Sequence, residues 1–344
     1  MPPSSRSYAG VDVIRLLAAL MVAAYHLGFW LWQPPRGQFV FQEQLAPLAP
    51  FVSFGWVGVE IFFVISGFVI ALSASSKDAY EFAVGRALRL YPAAWICASI
   101  TFLFAGTWAD YVRSMALSPI GPWVSGLYWT LAIEVVFYAL IAVALRRGWN
   151  LSRVALGLGL WSSAFWLLKI ANGALSLEIP LATIESNAGY LLLFHYGVYF
   201  ALGMLLYLKR HRALTAGFAL IGFIAVAWRS HAMALAGAPF YVAALILAAG
   251  VAAVAWCASR NPALRFLPVR TMGLLTYPLY LIHVELGSAV MLACAPLGAG
   301  WALAAGMATI LVVARAVLPV ESVVRHAMVG GAASRLRPEP ASLR

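Results

Sequence analysis

The sequence predicts an all-α, polytopic integral membrane protein of about ten transmembrane helices, with its N- and C-termini both cytoplasmic. Three observations predict it. Only 10% of the 344 residues are charged, against 63% hydrophobic. An ordinary soluble domain is roughly a quarter charged, so a water-soluble globule of this size would lack the charge to solvate its surface. Apolar runs of spanning length recur along the whole chain, and lysines and arginines gather in alternate intervals between them. The bilayer is therefore the expected solvent for most of the outside.

The first apolar run lies near residues 13–33. It carries Arg15 and His26, with Asp12 at its start, and no small-residue cleavage site closes it. It reads as a membrane helix, not a removable leader. Further runs follow near 52–74, 90–107, 124–145, 153–172, 189–208, 213–229, 239–258, 271–294 and 300–323. The seventh, ending at Trp228 and Arg229, is the weakest in length. No polar segment is long enough for a separate soluble domain, and no internal repeat interrupts the pattern. The expected organisation is one transmembrane domain over residues 8–325 and a short basic cytoplasmic tail over 326–344.

The basic residues set the orientation. With the N-terminus inside, 18 of the 23 lysines and arginines fall in inner segments, among them Arg6, Arg265, Arg335, Arg337 and Arg344. Only Arg36, Arg113 and Arg229 fall in outer segments, while Lys169 and Arg315 lie in or near helix ends. That is a strong positive-inside signal. It also gives the net charge of +11 a topological meaning, because the charges form small clusters between apolar runs and not a polar face for nucleic acid. Cys97, Cys257 and Cys294 each sit inside an apolar run without CxxC spacing, so no zinc site or disulfide framework is expected and they read as buried small residues.

Ionisable residues inside the spans carry the functional signal. Each costs roughly 2.5–3.5 kcal/mol at the membrane centre on the mildest scale. Taking the helical rise, His26 lies about 10 Å from the outer face, Glu60 about 12 Å, His283 about 12 Å and Glu134 about 15 Å. Two histidines and two glutamates from four helices are thus expected at one level, slightly outside the midplane. Arg15 and His26 are eleven residues apart, which places them on one helix face about 16 Å apart along the axis. Asp12 is expected to pair with Arg15. His195, with no motif around it, reads as an interhelical hydrogen-bonding residue. Glu285 and Arg315 fit a structural ion pair or a site equally.

The spans also carry motifs: GVDVIRLLAALMVAAYH over 10–26, GWVGVEIFFVISGFVI over 55–70, RALRLYP over 86–92, WTLAIEVVFY over 129–138 and YPLYLIHVELG over 277–287. In this order and spacing the chain resembles membrane acyltransferase family 3, the integral-membrane O-acyltransferases that modify bacterial polysaccharides and other hydroxylated molecules. The resemblance spans about residues 8–325. It implies a ten-helix core in the bacterial cytoplasmic (inner) membrane and an acyl-CoA donor, acetyl-CoA first among them, reached from the cytoplasm. It implies a hydroxylated acceptor such as a glycan and no metal. The family's helix-one Arg and His fall on Arg15 and His26. The chain resembles the stand-alone branch, without the C-terminal esterase-like domain of some members.

The residue chemistry agrees with that reading. A free alcohol is a poor nucleophile, so acyl transfer needs a base beside it, and His26 is the candidate. Glu134 or Glu60 would orient its imidazole as a third group. The donor's phosphates need cations, supplied by Arg15 and by Arg86 and Arg89, one helical turn apart on a short cytoplasmic segment. A tyrosine beside His283, Tyr277 or Tyr280, packs the site, and His283 and Tyr280 are taken as the substrate contacts. Ser66 lies well inward of His26 with no base expected at its level, so Ser66 and Gly67 read as a place of close helix approach or of passage for the pantetheine arm. The rival function is a proton-coupled secondary transporter that uses the buried His and Glu residues as a relay.

Overall fold

The computed structural model describes residues 8–34, 40–181, 191–233, 240–262, 264 and 267–335. Arg6, Arg36, Arg265, Arg337, Arg344 and the end of the expected tail lie outside the described residues. Among those described, every regular element is helical. The main helices are α1 (Ala9–Gly28), α2 (Gly58–Ala74), α3 (Ala79–Phe102), α4 (Trp108–Met115), α5 (Trp129–Arg146) and α6 (Leu151–Leu175). They continue with α7 (Gly197–Leu208), α8 (Arg212–Met233), α9 (Phe240–Arg260), α10 (Val269–Ile282), α11 (Glu285–Ala293) and α12 (Ala299–Arg335).

The all-α membrane class expected from composition is what the chain folds into. Seven helices among the described residues are long and apolar enough to cross a membrane, and eight if α10 and α11 count as one bent span. Of the ten runs, α3 and α7 fall outside that count. α3 has 24 residues, but Glu81, Arg86 and Arg89 occupy its first turns. α7 has 12 residues, because 191–196 is turn and not helix.

Two local departures from the expected layout matter for the site. Arg86 and Arg89 lie not on a separate short segment before the third apolar run but within the same helix. Asp78 accepts a hydrogen bond from the Glu81 amide at 2.8 Å, which caps α3 and starts it well before the apolar run. Both arginines therefore stand on a rigid helix. The run 271–294 is not one helix either. It breaks at His283 and Val284, where α10 and α11 meet at 69°.

Small residues bring the central helices together. A side chain at Gly67 on α2 would collide with the Phe200 carbonyl on α7, and one at Gly203 on α7 would collide with the Val64 carbonyl. This reciprocal contact makes α2 and α7 the closest-packed pair, as the Ser66-Gly67 pair suggested. Gly55 and Gly58 do the same for α1, whose Met21 and Ala18 carbonyls they meet. α1 also packs on α10, so it lies between α2 and the broken helix. Cys97 and Cys257 are buried and Cys294 half-buried.

Candidate active site

His26 stands on the last turn of α1, half-buried, where the chain leaves the helix for a short turn over Trp30–Trp32. His283 stands at the break between α10 and α11 and is fully buried. The two rings meet: His283 Nε2 lies 2.9 Å from His26 Nδ1. The same His26 nitrogen is 3.1 Å from the Val22 carbonyl oxygen. His283 Nδ1 is 2.6 Å from the Tyr280 carbonyl oxygen. A helix broken inside a membrane leaves carbonyls short of amide donors, and the His283 ring supplies one.

Two cavities lie along α1. The first, at the His26 end of α1, is lined by His26, Trp30, Trp56, Glu60, Arg229 and Glu285 among others. The second, at the Arg15 end, is lined by Arg15, Ser66, Arg86, Arg89, Glu134 and Tyr277 among others. Tyr280 and Val59 line both, so they form the partition between them.

The structure brings some expected partners together and separates others. Glu60 lines the His26 cavity, but its carboxylate pairs with Arg229, whose guanidinium also stacks 4.7 Å from the Trp56 ring centre. Glu134 lines the opposite cavity with the three arginines. The reason is local. Trp129, the first residue of α5, lines the His26 cavity, and Glu134 lies five residues further along, about 7.5 Å toward the Arg15 end. Among the described residues the side chain that meets the His26 imidazole is His283, while Glu60 and Glu134 have other partners or surroundings. His283 itself, expected as a substrate contact, has no exposed surface and adjoins the His26 ring instead.

The Arg15 cavity has the chemistry of an anion site. Arg15 pairs with Asp12 at 3.7 Å, as expected from their spacing. Arg86 Nη2 donates to Ser73 Oγ at 3.2 Å, while its buried Nε has no hydrogen-bond partner among the described residues. Arg89 Nη2 reaches the Gly273 carbonyl at 3.5 Å. Three cations and one further carboxylate, Glu134, therefore face one space. Such a set can hold phosphates.

Other residues find structural places. His195 Nε2 lies 3.4 Å from Lys169 Nζ, and its carbonyl accepts from Trp166 Nε1 at 3.1 Å, so it packs away from both cavities. Arg315 is exposed on α12. Glu285 faces the His26 cavity, and its buried Oε2 has no hydrogen-bond partner. Arg229 was missed as a site residue. Its sequence signal was a lone cation at the end of the seventh run, and its pairing with a residue 169 positions away is a tertiary fact. The buried Glu321–Arg325 pair on α12 was missed too, although its i, i+4 spacing was readable.

The family model described as an acyltransferase domain, acyltransferase family 3, matches residues 8–318. The chain belongs to this family. Two curated proteins are similar to parts of it. Nodulation protein 10 of Rhizobium leguminosarum bv. viciae is 29% identical over 189 residues, which cover 44% of this chain and 49% of that protein. The O-acetyl transferase of Shigella phage Sf6 is 31% identical over 162 residues, covering 40% of this chain and 45% of the phage protein. The chain thus spans about half the length of these relatives. No solved structure matches it.

Proposed function

We propose that the protein is a membrane O-acyltransferase that moves an acyl group, acetyl in the first instance, from cytoplasmic acyl-CoA to a hydroxyl of an extracytoplasmic glycan or related acceptor. One observation carries the reading: a cluster of arginines and the His26 imidazole open on two cavities that share Tyr280 and Val59 as their partition. Family membership and the phage relative named O-acetyl transferase support it. In this reading residues 8–325 form one catalytic domain in the bacterial inner membrane, with both termini and the Arg15 cavity on the cytoplasmic side.

Arg15, Arg86 and Arg89 hold the CoA phosphates, and the unpartnered Arg86 Nε is one donor that an anion would satisfy. The acyl-pantetheine arm then runs past Tyr280 toward His26, over about 16 Å by the helical rise. The acceptor enters the other cavity, where Trp30, Trp56 and Trp129 offer flat apolar faces. His26 takes the hydroxyl proton as the oxygen attacks the thioester carbonyl. The C–O bond forms, the C–S bond breaks, and the imidazolium returns its proton to the CoA thiolate. Glu60, paired with Arg229, shapes the acceptor side.

The test uses proteoliposomes of known orientation. Free CoA and ester should appear only when acyl-CoA faces the Arg86 side and the acceptor faces the other. A requirement for both on one side refutes the through-membrane route. Uptake of a solute driven by a proton gradient, without thioester consumption, would establish the transporter instead.

A further inference from the structure

The two imidazoles do not play equal parts. We propose that His283 is a positioning residue that fixes the tautomer of His26 and thereby aims its basic nitrogen at the acceptor cavity. This rests on the reading of His26 as the general base.

The assignment follows the hydrogen-bond chain from its buried end. His283 Nδ1 lies 2.6 Å from the Tyr280 carbonyl oxygen. A carbonyl only accepts, so Nδ1 carries the hydrogen, and a neutral ring with hydrogen there presents its lone pair at Nε2. That lone pair faces His26 Nδ1 at 2.9 Å. Among the described residues His26 Nδ1 also lies 3.1 Å from the Val22 carbonyl oxygen, again an acceptor. His26 therefore carries its hydrogen on Nδ1, and its basic lone pair is confined to Nε2. The Val22 carbonyl sits one turn back on the same helix, where it belongs to the backbone ladder, so His283 is the acceptor dedicated to this hydrogen.

During transfer the roles stay fixed. His26 Nε2 takes the hydroxyl proton, and its Nδ1–H becomes a charge-assisted donor to His283 Nε2, which stabilises the imidazolium. When the C–S bond breaks, the proton leaves from His26 Nε2 to the thiolate, and His283 ends as it began. A carboxylate in the same place would also orient the ring. It would, however, bury a charge at a position with no exposed surface, which desolvation disfavours. A second imidazole does the work while neutral. The break at His283 and Val284 makes this possible, because it turns the ring back onto the Tyr280 carbonyl one turn earlier.

The experiment compares H283A, H283N and H283Q with wild type in proteoliposomes, together with nitrogen-15 resonances of labelled histidine, His26 being assigned by its loss in H26Q. A glutamine oxygen replaces Nε2 and still accepts from His26. An asparagine amide replaces Nδ1, keeping the Tyr280 contact but not the His26 contact. We expect H283A and H283N to lose about 10–100-fold in kcat with unchanged KM for donor and acceptor. H283Q should recover most of that loss. The His26 signal should stay in the Nδ1–H form in wild type and H283Q and become a tautomer mixture in H283A and H283N. Equal activity of H283N and H283Q, or an unmixed Nδ1–H signal in H283A, overturns the proposal. The resonance is read without turnover, so it stands apart from the base assignment, which fails separately if H26Q remains active.

Discussion

The Glu60–Arg229 pair lends itself to a quantitative test. Glu60 has 1% side-chain exposure and Arg229 has 29%. Arg229 meets Glu60 at Oε1, and the buried Oε2 has no hydrogen-bond partner among the described residues, so removing Arg229 strands a buried carboxylate. Removing one partner of a fully buried pair costs about 3–5 kcal/mol, because the charge left behind loses its compensation. Arg229→Met should fall near the lower end of that range, since the arginine is part-exposed and its pair is not fully desolvated. Glu60→Gln should cost less, because the arginine left behind keeps water on one side and the Trp56 face on the other. The double variant strands no charge and should recover most of the loss. The assay is a double-mutant cycle on thermal stability in detergent micelles, with monodispersity as control. Strict additivity, with the double variant as unstable as the two losses summed, would refute the claim that these residues act as a buried pair.

Three further outcomes follow from the geometry. His26→Ala and His26→Gln should both abolish transfer while the protein stays inserted and monodisperse, since glutamine keeps a hydrogen bond but takes up no proton near neutral pH; normal turnover in the glutamine variant removes the base role. Arg86→Ala and Arg89→Ala should raise the Kd for acyl-CoA more than for acceptor. That rise should shrink for a donor lacking the 3′-phosphate, and equal losses for both donors argue against contact with that group. Gly203→Ala should cost about 1–3 kcal/mol by forcing α7 off the Val64 carbonyl. Gly157→Ala, at a glycine with open space around it, serves as the matched control for the same measurement.

The site was partly legible in the chain. Arg15 and His26 share a helix, so their common face and separation follow from helical geometry alone. The Asp12–Arg15 pair was readable for the same reason. Depths along different helices were less secure, because each depends on where its helix begins. α5 begins at Trp129 after a short turn over Gly126–Tyr128, and Glu134 consequently lies with the arginines and not with His26. Arg86 and Arg89 read as a short cytoplasmic segment because hydropathy marks only the apolar run, whereas the Asp78 cap decides where α3 starts. The break at His283 left only a weak trace, since Pro278 lies one turn before it in a run otherwise apolar throughout.

The sequence by itself determined the solvent, the all-helical class and the separation of Arg15 from His26 along α1. These depend on composition and on the fixed rise and turn of a helix, which are local quantities. Only the tertiary structure decided the partners: His283 against His26, Arg229 against Glu60, Glu134 among the arginines. The physical reason is that a membrane-buried polar group takes whichever partner the packing brings within about 3 Å. Glycine contacts such as Gly67 on Phe200 and Gly203 on Val64 set that packing, between segments far apart in the chain.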